Sequence, residues 1–317
     1  MRTHVGRFDH VGRAAGAGAR EPYPHRMADP AATHPATVPL HEPPPAPAAA
    51  LDDAFLEGRL AAHRACHGCP APADVAAWLD DLLGLGFPEL ARRRLTTLDA
   101  LREEGDALRR RLAHLLGECP DAPERAPSLA RAFLTEFPDL HARLDEDAQA
   151  IVDGDPAAHG RGEVVRTYPG FYAIAAHRVA HALLRLGART LARMIAAPAH
   201  RSTGIDIHPA ARIGRRFCID HGTGVVIGET AVLGDDVKLY QGVTLGGLSV
   251  RKEDAARKRH PTLGNRVVVY AGATILGGHT VVGDVSVIGG NVWLTRSVPP
   301  GTKLTYRPAT VETEPTT

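Results

Sequence analysis

Residues 204–246 read GIDIHPAARIGRRFCIDHGTGVVIGETAVLGDDVKLYQGVTLG, and this stretch decides the fold. Its apolar residues recur at every sixth position, at Ile207, Ile213, Ile219, Val225, Ala231, Val237 and Val243. A second series follows at Leu263, Val269, Ile275, Val281, Val287 and Trp293. Neither the 3.6-residue period of a helix nor the two-residue period of a half-buried strand produces that spacing. Glycines punctuate the same stretch, among them Gly214, Gly228, Gly234, Gly246, Gly264 and Gly283, as a chain turning sharp corners requires. A six-residue repeat of apolar and small residues predicts a parallel β-helix, with one short strand and one corner per hexad and three hexads per triangular coil. The repeated apolar residue points inward and stacks on its equivalent one coil away, because no single coil buries its apolar face alone.

The two series are out of phase, since Val243 and Leu263 are separated by three hexads plus two positions. The text between them, GLSVRKEDAARKRHP, is polar and charged and is expected to leave the coil as an external loop over 247–260. Loops on a rigid scaffold often carry binding groups, and this one ends at Arg259 and His260.

Upstream, the pattern is helical. Leu95, Leu98, Leu101, Leu108, Leu112 and Leu115 fall along one helical face, and a second helix is expected from about Pro169 to Ala197. Residues 1–50 are rich in Ala, Pro, His and Gly and read as a disordered tail. The expected organisation is a tail (1–50), an α-helical domain (51–203), a β-helix (204–302) and a C-terminal tail (303–317).

Composition narrows the function. A net charge of +1 gives no global basic field for nucleic acid or an anionic membrane. No apolar run is long enough to span a bilayer, and the segment 1–30 lacks the apolar stretch of a secretory signal. Four cysteines in a chain of 317 residues do not make a disulfide framework, so a cytoplasmic location is expected.

Two polar pairs interrupt the apolar repeat: Asp206 with His208, and Asp220 with His221. Asp206 and His221 are separated by a little less than the three hexads of one coil, so they belong to neighbouring coils and meet if their corners align. A carboxylate on one imidazole nitrogen leaves the other as a base able to take a proton from a hydroxyl nucleophile. His208, which precedes Pro209, is read as structural. A zinc site drawn from His208, His221, His260 or His279 lacks matched coil positions and would face the charge of Arg259, so no metal is expected. His177 and His181 share a helical face but read as core, and the half-site spacing of Cys66 and Cys69 has no second pair nearby. Cys218 falls within a strand and is expected to be buried and inert.

The sequence resembles the serine acetyltransferase family of left-handed β-helix acyltransferases from roughly Asp155 to Pro300. The resemblance is carried by DPAA at 155–158, GFYAIAAHRVAH at 170–181, DIHPAARIG at 206–214, IDHGTGVVIGET at 219–230, GVTLGG at 242–247, RHP at 259–261 and SVPPGT at 297–302. It implies an N-terminal α-helical domain followed by a left-handed parallel β-helix. It also implies transfer of an acetyl group from acetyl-CoA to the L-serine hydroxyl in cysteine biosynthesis, without a metal. His221 matches the general base and Asp206 its carboxylate partner. Asp155 and Asp220 match the carboxylates that take the amino group of serine or of the feedback inhibitor L-cysteine, and Arg259 and His260 the pair that holds the substrate carboxylate. Gly247 matches a loop glycine whose amide lies near the thioester, and Ala271, Gly272 and Gly290 match small residues lining the pantetheine slot. The family implies a homotrimer, with hexamers in many members.

Two departures stand out. The chain ends VETEPTT without the C-terminal Ile that many members insert into O-acetylserine sulfhydrylase, which argues against that complex. The text after the last coil is KLTYRP rather than the common NPAR-like form. A sugar O-acetyltransferase on the same fold, and a non-catalytic scaffold that binds a sulfhydrylase, are the competing expectations. The acidic and basic pairs favour an amino-acid acceptor over the first, and the intact Asp206 and His221 argue against the second.

Overall fold

The computed structural model describes residues 51–65, 70–121, 123–248 and 257–306. The segment 1–50, Cys66 and Cys69, loop residues 249–256 and residues 307–317 lie outside the described residues. The chain divides into two units after Leu60, and residues 51–60, which open α1 (Asp53–Ala65), are the described part of the first.

The second unit begins with helices. They are α2 (Pro72–Gly86), α3 (Leu98–Gly117), α4 (Ala126–Gly154), α5 (Arg161–Thr167), α6 (Pro169–Arg185) and α7 (Arg189–Thr203). Their starts follow local chemistry: Pro opens α2 and α6, and the Thr97 hydroxyl caps α3 by accepting from the Ala100 N–H at 3.2 Å. The core of this part is aromatic and aliphatic, with Trp78, Phe87, Phe133 and Phe171 all buried. The indole N–H of Trp78 donates to the Leu108 carbonyl at 3.0 Å, so the one polar atom of that ring is satisfied. The expected leucine stripe is buried at Leu108, Leu112 and Leu115, whereas Leu98 and Leu101 are exposed and Leu95 precedes the helix. The single helix expected over 169–197 is two helices, because Gly187 at φ +93° takes the chain out of helical geometry between α6 and α7.

From residue 206 the chain forms three parallel sheets, one on each side of a left-handed triangular coil. The first holds β1 (Asp206–Ile207), β4 (Val226–Ile227), β7 (Thr244–Gly246), β10 (Thr274–Leu276) and β13 (Trp293–Leu294). The second holds β2 (Arg212–Ile213), β5 (Val232–Leu233), β8 (Thr262–Leu263) and β11 (Val281–Val282). The third holds β3 (Cys218–Ile219), β6 (Lys238–Leu239), β9 (Val268–Val269), β12 (Val287–Ile288) and β14 (Lys303–Leu304). Register stacks one apolar column per sheet. In the first it runs Ile207, Ile227, Leu245, Ile275 and Leu294, and in the third Ile219, Leu239, Val269, Ile288 and Leu304.

These columns correct the simple hexad reading. Ile207, Ile213 and Ile219 lie in the columns, but Val225, Ala231, Val237 and Val243 lie two positions before them. The cause is a two-residue extension at the corner after β3. Val226 pairs with Thr244, three hexads on, whereas Asp206 pairs with Val226, three hexads and two positions on. All of these residues are buried except the half-buried Ile213, so the spacing of six survives the slip. A further residue near Gly277 shifts the last turns, so Val282, Ile288 and Leu294 face inward. Trp293, expected to stack inward, is instead 70% exposed.

Two contacts seat the helices on the coil. A Cβ on Gly170, near the start of α6, would lie 2.2 Å from the Ile219 carbonyl oxygen, so only glycine allows this approach. Arg178 on α6 and Asp147 on α4 form an almost fully buried ion pair, with bonds of 2.6 and 2.8 Å. Arg178 also donates to the carbonyls of Ile213 and Gly214, and Asp147 accepts from the Phe217 N–H at 2.9 Å. Among the described residues no helix is long and apolar enough to cross a membrane.

Candidate active site

The two-residue extension after β3 lies between Asp220, whose N–H still donates to the Leu239 carbonyl at 2.9 Å, and Gly224, so it is His221 that leaves the regular corner. His221 adopts φ +58°, a left-handed geometry uncommon for a residue with a Cβ, and its side chain is 71% exposed. Asp220 is buried beside it, with Oδ1 3.7 Å from His221 Nδ1. The other carboxylate oxygen of Asp220 accepts from Lys238 Nζ at 2.9 Å, and Lys238 also donates to the Gly154 carbonyl at 2.6 Å.

Asp155 follows α4 directly and closes this corner. It accepts from the Ala157 N–H at 2.8 Å and from the Tyr168 hydroxyl at 2.7 Å. Those bonds hold its carboxyl below the usual carboxylate range, and the same bond to Asp155 pushes the Tyr168 phenol up to about 12. Cys218 is buried as expected, and burial pushes its thiol up to about 12, which keeps it from acting as a thiolate.

A second cluster occupies the opposite edge of the first sheet, at the corner between β4 and β5. The His260 ring lies so close over Gly228 that a Cβ there would sit 2.0 Å from Cδ2. His260 Nδ1 accepts from the Thr230 N–H at 3.0 Å, so the neutral ring carries its proton on Nε2. Burial, and then the Arg259 charge, lower its pKa to about 4, and the ring stays neutral near pH 7 as an Nε2–H donor. Thr230 Oγ1 accepts from the N–H groups of both Arg259 and His260, which fixes the end of the loop. Arg259 is ion-paired with Glu229. Asp206 and His208 line the same cleft of about 520 Å³, together with Arg189 and Arg193 of α7. His208 Nδ1 accepts from the Ala210 N–H at 3.0 Å, closing the local turn, and burial lowers its pKa.

The structure therefore brings Asp155, Asp220 and His221 together, and separately Asp206, Arg259 and His260. Among the described residues of one chain, neither a hydrogen bond nor an ion pair joins His221 to Asp206, and Asp220 is the nearer carboxylate.

Between these corners the first sheet presents an outward row of Asp206, Val226, Thr244, Thr274 and Trp293. Beside it, Gly224, Gly242 and Gly272 stack at one corner, all at positive φ. Ala271 and Gly290 are adjacent in this column, where the Asn291 N–H donates to the Ala271 carbonyl. Gly247 directly follows β7 on the same sheet. The result is a track free of large side chains, ending at the exposed Trp293.

Sequence reasoning missed Lys238, Tyr168 and Thr230. A plain hexad count hides the first, because the two-residue extension puts Lys238 in register with Cys218, three hexads and two positions on, and not with Asp220. Tyr168 and Thr230 act through partners distant in sequence and leave no local pattern. His177 and His181 pack with ring centres 5.7 Å apart, and His181 Nδ1 bonds the Pro209 carbonyl. Among the described residues no group of three or more His, Cys, Asp or Glu side chains could hold a metal ion.

No family model matches the chain. It is 48% identical over 217 residues to a plasmid serine acetyltransferase of Synechococcus elongatus, covering 65% of this chain and 67% of that one. It is 49% identical over 158 residues to a serine acetyltransferase of Helicobacter pylori, covering 50% of this chain and 90% of the relative. Among solved structures, serine acetyltransferase isoform 3 of Entamoeba histolytica in complex with cysteine matches with a TM-score of 0.68 and 34% identity, over 75% of this chain and 84% of that one.

Proposed function

Since the chain belongs to the serine acetyltransferase family, we propose that His221 is the general base with which it O-acetylates L-serine from acetyl-CoA. The observation that carries this reading is the placement of His221, held out of its corner on a two-residue extension beside Asp155 and Asp220. The serine hydroxyl gives its proton to the imidazole as its oxygen bonds the acetyl carbonyl carbon, the carbon–sulfur bond breaks, and CoA leaves with the proton as a thiol. The orienting carboxylate is assigned to Asp206 by resemblance, and Asp220 supplies a second negative charge beside the imidazolium.

L-Serine is a zwitterion, and the two clusters divide its charges. Asp155 and Asp220 take the ammonium group, while the Arg259 guanidinium and the His260 Nε2–H take the carboxylate. The clusters flank opposite edges of one sheet, which favours a site completed by a second copy of the chain within a trimer. Acetyl-CoA fits the track of small residues along that sheet, with Ala271, Gly272 and Gly290 leaving room for the pantetheine arm and the Gly247 amide facing the thioester oxygen. Gly272 itself admits no side chain without displacing Asn291, since a Cβ there lies 2.4 Å from Asn291 Oδ1 and the backbone is at φ +69°.

L-Cysteine presents the same ammonium and carboxylate groups as serine and is expected to compete at this site. Initial rates of CoA release test the reading. L-Serine supports release, a panel of sugars does not, and L-cysteine raises the KM for L-serine while leaving kcat unchanged. Faster release with a sugar than with L-serine sinks the acceptor assignment.

A further inference from the structure

Lys238 stands inside the acidic corner, and no step above uses it. Its strand, β6, pairs with β3 so that Lys238 lies in register with Cys218. Nζ is 2.9 Å from Asp220 Oδ2, 2.6 Å from the Gly154 carbonyl oxygen and 4.4 Å from the centre of the Tyr240 ring. The side chain is only 14% exposed, so it is a fixed part of the cluster and not a solvated surface lysine. Gly154 ends α4 and Asp155 follows it, so one ammonium group ties the turn that carries Asp155 to the corner that carries His221.

Charge balance around Lys238 is simple. Asp155 and Asp220 contribute two negative charges and Lys238 one positive charge. The Cys218 thiol and the Tyr168 phenol, both pushed up to about 12, contribute none at neutral pH. Tyr240 presents its ring face to Nζ, and His221 is a further titratable neighbour. Asp147, which also acts on Cys218, is balanced by its ion pair with Arg178, and Glu163 acts on the Tyr168 side of the cluster. The resident charge is therefore one net negative, the complement of a single substrate ammonium group.

We propose that Lys238 is a positioning residue, which fixes Asp220 beside His221, ties the Asp155 turn to the same corner and leaves the cluster one net negative charge for the substrate. The proposal rests on the assignment of His221 as base. Without the lysine charge, two uncompensated carboxylates would hold a proton on His221 to higher pH and withdraw the base.

The test is the pH dependence of kcat/KM for L-serine in the full chain, for wild type, Lys238→Gln, Lys238→Arg and His221→Ala. Glutamine keeps a donor for Asp220 or the Gly154 carbonyl and removes the charge, so it separates charge from tethering. The acidic limb of the Lys238→Gln profile is expected to move up by about one pH unit, with a raised KM for L-serine, while Lys238→Arg keeps the wild-type limb. A purely structural role would lower activity by one factor at every pH. If Lys238→Gln superimposes on wild type while His221→Ala is inactive, the lysine proposal alone is overturned. Should His221→Ala keep wild-type activity, the assignment beneath it is overturned as well. Lys238→Met gives an independent check, because loss of charge in a second shape must move the same limb.

Discussion

Replacing His221 by alanine lowers kcat for acetyl transfer to L-serine by about 10²–10⁴-fold, the contribution of a positioned general base. The fold should not suffer, because the side chain is largely exposed and packs against nothing that alanine would leave open. The left-handed φ of +58° is the one structural concern, and His221→Asn addresses it, since asparagine tolerates that geometry and cannot act as the base. Both variants are expected to lose activity together and to melt near the wild-type temperature. Combining His221→Ala with Asp206→Ala should cost little more than the first change, as residues acting as a unit are not additive. Retention of more than about a tenth of wild-type kcat by a folded His221→Ala protein contradicts the base assignment, given the size of the expected loss.

The second large effect is on stability. Asp147→Ala is expected to destabilise the protein by about 3–5 kcal/mol, because it leaves the Arg178 guanidinium buried without its carboxylate. The pair also fastens the helices to the coil through the Ile213 and Gly214 carbonyls and the Phe217 N–H, so the loss reaches beyond two side chains. Urea unfolding followed by circular dichroism reads it directly, and Tm should fall by roughly 10 °C. A shift below about 1 kcal/mol would place Asp147 with exposed pairs such as Arg102–Asp99, whose removal is expected to cost almost nothing.

Much of the coil was legible because stacking imposes a period that no helix or simple strand shares. What the period hid was phase. A spacing of six runs unbroken from Ile219 to Val225, yet the first lies in a column and the second two positions before the next one, because both positions are buried. Trp293 was misplaced for a related reason: one extra residue near Gly277 turns the following strands over, and a hexad count cannot register a single insertion within one coil. The long helix expected to Ala197 breaks at Gly187, where apolar residues on both sides continue the pattern across a stop.

At the site, residue types were readable and their grouping was not. Asp220 and His221 are neighbours in sequence and in space, and Arg259 and His260 arrive together at the end of the loop. The expected contact of Asp206 with His221 depended on corner alignment, and within one chain Asp206 instead lines the cleft with Arg259 and His260 while His221 stands beside Asp220. Lys238 and Tyr168 entered only through three-dimensional contacts, from the adjacent coil and from the turn before α6.

The measurement that bears most directly on the central claim is the identity and amount of product. The chain is incubated with acetyl-CoA and L-serine, free thiol is counted, and the acetylated product is identified by mass. One O-acetyl-L-serine formed for each CoA released, with no release when serine is omitted, is the predicted result. Release that ignores serine, or an acetyl group found on another acceptor, would contradict it.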